Sequence, residues 1–157
     1  MKTILIVDDE EGISKLLAEN LTEDGYKVVI ATNGEDGLRK AQITKPDLVI
    51  LDVMMPKMDG AEMCAHLREN AKTKDLPIIF MTGLKTKNDD FQLGRDVGNH
   101  TIFSKPFDYD ELLGTIREIR KLWNLGHRNT YQIENLTHRI RMTKERLEEL
   151  GGDIYII

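Results

Sequence analysis

One cysteine, Cys64, stands among 157 residues, so an intramolecular disulfide framework and a cysteine-based metal cluster are both excluded. A lone thiol fits a reducing compartment, and Cys64 itself reads as a half-buried helix residue. There is no basic excess either. The formal net charge is -5 with a sequence pI near 5.4, which argues against a cationic surface of the size that nucleic acid requires. Long apolar runs are also missing. The first run, Ile4-Leu5-Ile6-Val7, stops at Asp8 and is too short for a signal-peptide core, and no later run approaches the length of a membrane span. A cytoplasmic protein with no membrane contact and no direct nucleic-acid contact is the expectation. Neither internal repeats nor low-complexity segments occur, and the length suits one domain with a short appendix.

What is present is an alternation of short apolar runs and helical patterns. Leu48-Val49-Ile50-Leu51 has the continuous apolar character of a strand buried on both faces, yet it ends in Asp52. The first run ends in Asp8-Asp9-Glu10. Ile78-Ile79-Phe80-Met81 ends in Thr82-Gly83, and Ile102-Phe103 ends in Ser104-Lys105-Pro106-Phe107. Between them, Ile13, Leu16, Leu17 and Leu21 mark a helix that stops near Gly25. Residues 27–32 read as a strand, followed by a helix capped by Asn33 and ended by Pro46. Asp59 with Glu62, and Asp108 with Glu111, have capping-box spacing. The second of these opens a helix with Leu112, Ile116, Ile119 and Trp123 in one stripe. Residues 86–97 form a weaker helical pattern, interrupted by Gly94. Five strand-helix pairs predict a doubly wound α/β fold with one parallel sheet covered on both faces.

Ligands of such sheets bind beyond the carboxyl ends of the strands. Asp8, Asp9 and Asp52 converge there if the first and third strands are neighbours. Carboxylates brought that close either hold protons or hold a cation. An all-oxygen set completed by water favours Mg²⁺. Thr82 and Lys105 add a hydroxyl and an ammonium at two further strand ends, so that the set suits a phosphoryl group, with a carboxylate available as nucleophile.

The motifs VDDE, LDVMMPKMDG, MTG and SKPF, in that order over residues 1 to about 123, resemble the receiver domains of bacterial two-component response regulators. The resemblance implies a flavodoxin-like sheet in the order 2-1-3-4-5, which is the family's own order carried over to this chain. It makes Asp52 the phosphoacceptor, taking its phosphoryl group from a sensor histidine kinase or phosphotransfer protein. Asp8, Asp9, Asp52 and the backbone carbonyl of Met54 would hold Mg²⁺, Thr82 and Lys105 would contact the phosphoryl oxygens, and the Lys105-Pro106 bond would be cis. Pro56 and Gly60 would shape the loop after the phosphoacceptor. Ile13, Ser14, Leu17, Pro106 and Phe107 become candidate partner contacts.

Departures from the family pattern bear on mechanism. The usual aromatic residue three positions before the lysine is Ile102, and Phe103 points to the opposite face, which implies weaker or differently routed coupling to the surface. The partner-facing segment reads Gly98-Asn99-His100-Thr101. Met54 and Leu84 stand at positions that in this family flank the path of an attacking water; both are apolar and cannot orient it. By analogy with the family, the phosphorylated form is expected to last on the order of minutes to hours. The rival readings are a haloacid-dehalogenase-type phosphohydrolase, which wants an acid where Met54 stands, and a scaffold with an inactive receiver site.

Residues 124–157 are expected to form a helical tail. Ile133, Leu136, Ile140, Thr143, Leu147 and Leu150 have the a/d spacing of a coiled-coil seam. The span 129–150 therefore suits self-association, pairing with another protein's helix, or docking on the receiver, and a truncated linker is the remaining reading. Arg139 facing Lys144 disfavours a parallel homodimer. The downstream partner is not legible. His138 reads as a solvated heptad position, and His66, His100 and His127 show no metal-site spacing.

Overall fold

Apolar runs of four or five residues, separated by caps and turns, set the order of elements in the chain. A computed structural model describes residues 3–83 and 101–124. The elements are β1 (Thr3–Val7), α1 (Glu11–Glu23), β2 (Lys27–Ala31), α2 (Gly34–Thr44), β3 (Leu48–Asp52), α3 (Gly60–Glu69), β4 (Ile78–Thr82), β5 (Thr101–Ser104) and α4 (Tyr109–Asn124). The strands form one parallel sheet in the order β2-β1-β3-β4-β5, the flavodoxin-like arrangement expected. The helical pattern at 86–97 and the tail at 129–150 lie outside the described residues.

The caps fall where the sequence places them. Asn33 accepts from the Asp36 N–H at 2.8 Å, Asp59 from the Glu62 N–H at 2.8 Å, and Asp108 from the Glu111 N–H at 3.1 Å. Each satisfies an amide that the first helical turn leaves without a backbone partner. Gly25, at φ 95, supplies the left-handed residue that ends α1.

Strand alternation divides the core into two layers. Ile4, Ile6, Leu48, Ile50, Ile79, Met81 and Phe103 face α1 and α4, where Leu17, Leu21, Leu112, Ile116 and Ile119 close over them. Leu5, Val7, Val49, Leu51, Ile78 and Phe80 face α2 and α3, meeting Ala41, Met63, Cys64 and Leu67. Burying each such Leu or Ile contributes roughly 1.5–3 kcal/mol. Cys64 is more deeply buried than expected, as one member of this second layer. Trp123 is only partly buried, and Leu113 joins the α4 stripe instead.

The face of α1 differs from the expectation. Leu16 is 61% exposed, while Ser14 is fully buried. The buried line runs Ser14, Leu17, Leu21, so Leu16 falls about 100° away from Leu17 on the outer side. Ser14 is small enough for the helix start to lie close to the sheet, and its hydroxyl donates to the Glu10 carbonyl at 3.3 Å.

Candidate functional site

The site is built from strand ends. Asp52 closes β3, Thr82 closes β4, Asp8 follows β1 and Lys105 follows β5. Because β1 pairs with β3 in register Val7 to Leu51, Asp8 and Asp52 emerge side by side. On the other side of β3, β4 pairs with β5 in register Thr82 to Ser104, and the Lys105 N–H donates to the Thr82 carbonyl at 2.6 Å. Asp8, Asp52 and Thr82 are all buried.

Lys105 joins the group from across the sheet. Its ammonium lies 2.7 Å from Asp8 Oδ2, 3.3 Å from Glu10 Oε1 and 3.4 Å from Asp52 Oδ2. The Asp52 carboxylate also accepts from the Met54 N–H at 3.2 Å, and Asp8 accepts from the Glu10 N–H at 2.9 Å. These bonds fix both acids by their own following backbone. Burial, reinforced by the Asp8 carboxylate beside it, pushes Asp52 up to about 7, against the pull of Lys105 and the Met54 N–H. Burial works against the charge on Lys105. Its hydrogen bond to Asp8 and the attraction of Asp52 and Asp8 outweigh that effect, so its pKa is raised and the ammonium persists.

Carboxylate oxygens of Asp8, Glu10 and Asp52 all lie within 4.8 Å of one another. Asp8 and Asp52, both buried and side by side, offer hard carboxylate oxygens of the kind that suit Mg²⁺. The residues present therefore fit a Mg²⁺ ion. Asp9, expected as a ligand, is exposed and stands outside this group of three. Glu10 takes a place in it that sequence reasoning missed. The chain turns after β1, with the Glu10 N–H donating to Asp8 Oδ1 at 2.9 Å, and this turn brings the two acids to the same ammonium.

The loop after Asp52 is shaped by close approach. A Cβ on Gly60 would lie 2.4 Å from the Asp52 carbonyl oxygen, and the Gly60 N–H donates to the Val53 carbonyl at 3.0 Å. Only glycine fits this contact without movement. Pro56 is exposed, and Lys57 turns the chain at φ 68. The Met54 side chain is 58% exposed.

Among the other expected site residues, the Lys105-Pro106 bond is cis. Pro106 is exposed and Phe107 is partly buried against the first core layer. Ile13 is half-buried. Ser14 and Leu17, expected as partner contacts, face the core at 0% and 2% exposure, so neither offers a surface; the helix face that meets the sheet takes both. Ile102 pairs in register with Phe80 and packs in the second layer, whereas Phe103 packs in the first. The two residues do point to opposite faces. Leu84 and residues 98–100 lie outside the described residues, as does the side chain of Thr101.

Comparison with known proteins places this geometry among relatives. The family model described as the response regulator receiver domain matches residues 4–117. The alkaline phosphatase synthesis transcriptional regulatory protein PhoP of Bacillus subtilis (strain 168) is 43% identical over 118 residues, covering 75% of this chain and 48% of the relative. The chain spans about half the length of the curated relatives it matches first. Among solved structures, the chemotaxis protein CheY4 of Vibrio cholerae is similar at a TM-score of 0.67 and 34% identity, covering 74% of this chain and 97% of that one. The response regulator TrrA of Thermotoga maritima, in complex with Mg²⁺ and BeF, is similar at a TM-score of 0.63 and 38% identity, over 74% of this chain and 97% of that one.

Proposed function

Because the chain belongs to the response regulator receiver domain family, we propose that it is a Mg²⁺-dependent phosphoacceptor that takes a phosphoryl group onto Asp52 from a sensor histidine kinase or phosphotransfer protein. The observation that carries this reading is the convergence of Asp8 and Asp52 on the Lys105 ammonium, within 3.4 Å, at the carboxyl edge of the sheet. A buried pair of acids costs free energy in the folded chain and is retained where its charge has work to do.

Each residue has a role that follows from its position. Asp52 is the nucleophile, held by the Met54 N–H so that one carboxylate oxygen is directed by the backbone and the other lies toward Lys105. Lys105 neutralises charge on the arriving phosphoryl oxygens, and Thr82 donates a hydrogen bond to one of them. Asp8 holds Lys105 and, with Asp52, offers oxygens to Mg²⁺; Asp9 and the Met54 carbonyl complete the ligand set carried over from the family. Bound Mg²⁺ would supply charge neutralisation at the phosphoryl oxygens. With Met54 apolar and exposed, no side chain at that position aligns water for hydrolysis, which supports a phosphorylated state lasting on the order of minutes to hours.

The output is protein contact. Residues 1–123 serve as the receiver, and residues 124–157 as a helical tail that pairs with another helix. The acidic charge balance supports protein partners over direct nucleic-acid contact, in a cytoplasmic setting. Among the described residues no helix is long and apolar enough to cross a membrane. A haloacid-dehalogenase-type phosphohydrolase is disfavoured by Met54 where that chemistry wants a second acid, and an inactive scaffold by the intact Asp52, Thr82 and Lys105.

Acetyl phosphate with Mg²⁺ tests the proposal. Intact mass is expected to rise by one phosphoryl group in the wild type and to stay unchanged in Asp52→Asn. Labelling of the variant, or none in the wild type, overturns it. Turnover of small phosphate esters would point to the phosphohydrolase. Light scattering of the full chain against residues 1–123 tests the tail, with association expected only when residues 129–150 are present.

A further inference from the structure

The three acids around Lys105 differ in their access to solvent. Asp8 and Asp52 have side chains 3% exposed, whereas Glu10 is 58% exposed and approaches the same ammonium at 3.3 Å. The backbone of Glu10 is fixed. Its N–H donates to Asp8 Oδ1 at 2.9 Å, and its carbonyl accepts from the Ser14 N–H at 3.1 Å and the Ser14 hydroxyl at 3.3 Å. Its side chain is the solvent-exposed one of the three acids that meet the Lys105 ammonium.

Resting on the phosphoacceptor reading, we infer that Glu10 is a positioning residue at the mouth of the site, whose carboxylate competes with an incoming phosphoryl group for Lys105 and repels small anionic phosphodonors. In the reaction with acetyl phosphate, an Asp52 carboxylate oxygen forms a bond to phosphorus while the bond from phosphorus to the acetate oxygen breaks. Acetate leaves with the bonding pair, and no proton is transferred. The donor brings two negative charges past Glu10 and must take over the contact that Glu10 makes with the ammonium. A partner protein carrying a phosphohistidine has docking contacts of its own to offset that repulsion. A free acyl phosphate has none, so Glu10 favours the docked donor over the diffusing one.

The test compares the full-length wild type, Glu10→Gln, Glu10→Asp and Asp52→Asn. Phosphoprotein formation from acetyl phosphate with Mg²⁺ is followed by intact mass at low and high ionic strength. Glu10→Gln is expected to be roughly three- to tenfold faster at low salt, through a lower half-saturating acetyl phosphate concentration, with the gap closing as salt is added. Glu10→Asp, which keeps the charge, is expected to stay near the wild type. A Glu10→Gln rate at or below the wild-type rate, a gain that salt leaves unchanged, or Glu10→Asp as fast as Glu10→Gln overturns the inference. A tenfold rise in the Mg²⁺ needed by Glu10→Gln also overturns it, because that outcome assigns Glu10 to the metal. No labelling of the wild type above the Asp52→Asn baseline removes the phosphoacceptor reading and the inference with it.

Discussion

Asp52 is held at a cost that its partners only partly offset. Burial and the neighbouring Asp8 raise it to about 7, while an unfolded chain would titrate it near the ordinary carboxylate value of about 4. Below that lower value the group is protonated in both states. Between the two values the unfolded chain has lost the proton and the folded chain keeps it, so stability falls as pH rises through this window. Without Mg²⁺, the thermal midpoint of the wild type is expected to fall from about pH 4 to pH 8 relative to Asp52→Asn, with the variant the more stable of the two at pH 8. Parallel midpoint curves for the two proteins would count against the raised Asp52. Residue by residue, the sequence made the placement of Asp52, Thr82 and Lys105 at strand ends legible, because a polar group at the tip of a buried apolar strand is costly unless a partner or ligand meets it there. It concealed Glu10, whose part depends on a lysine 95 residues away. It also concealed the burial of Ser14, since a helical stripe is drawn by apolar spacing and a small polar residue on the inner face is passed over.

At the level of elements, α3 begins against the end of β3 with no room to spare. The Gly60 N–H bonds to Val53, and the missing Cβ is what lets the helix start lie on the Asp52 carbonyl. Gly60→Ala is expected to destabilise the fold by about 1–3 kcal/mol in urea unfolding and to slow phosphorylation, since the backbone of the nucleophile must shift. Equal phosphorylation rates would show that the shift is absorbed elsewhere. A second expectation concerns β5. Ile102 lies on the same face as Phe80 and, by alternation, as Thr82, so it occupies the place from which a ring would respond to a bound phosphoryl group. Beryllofluoride with Mg²⁺ is expected to move the amide resonances on the exposed face of α4 less in the wild type than in Ile102→Tyr. Equal shifts would mean that coupling takes another route. Among the described residues the elements were legible because caps carry chemistry: Asn33, Asp59 and Asp108 announce their helices, and strand ends moved by a residue or two.

For the molecule as a whole, alternating strands and helices made a parallel, doubly wound sheet legible, whereas the order of its strands came from the resemblance of the motifs to receiver domains and is the order observed. Which acids meet was less legible, because that depends on side-chain direction at the sheet edge. The same edge sets the last prediction. The described chain concentrates carboxylates around one ammonium, and the folded state alone brings them together, so a cation bound there stabilises the fold. Mg²⁺ at 100 times its dissociation constant contributes about 2.7 kcal/mol, or several degrees in thermal midpoint for a domain of this size. The sign with pH is set by Asp52: when protonated at pH 5 it competes with the cation, so the Mg²⁺-induced shift is expected to be larger at pH 8. Asp52→Asn and Asp8→Asn should lose most of the shift, and so should Asp9→Asn if the family's ligand set applies, whereas Glu10→Gln should keep it if its carboxylate serves the mouth and not the metal. Differential scanning fluorimetry with sodium chloride at matched ionic strength separates binding from screening. A sodium effect as large as that of magnesium would leave the acidic edge without a specific cation, and with it the phosphoryl chemistry that this edge was assigned.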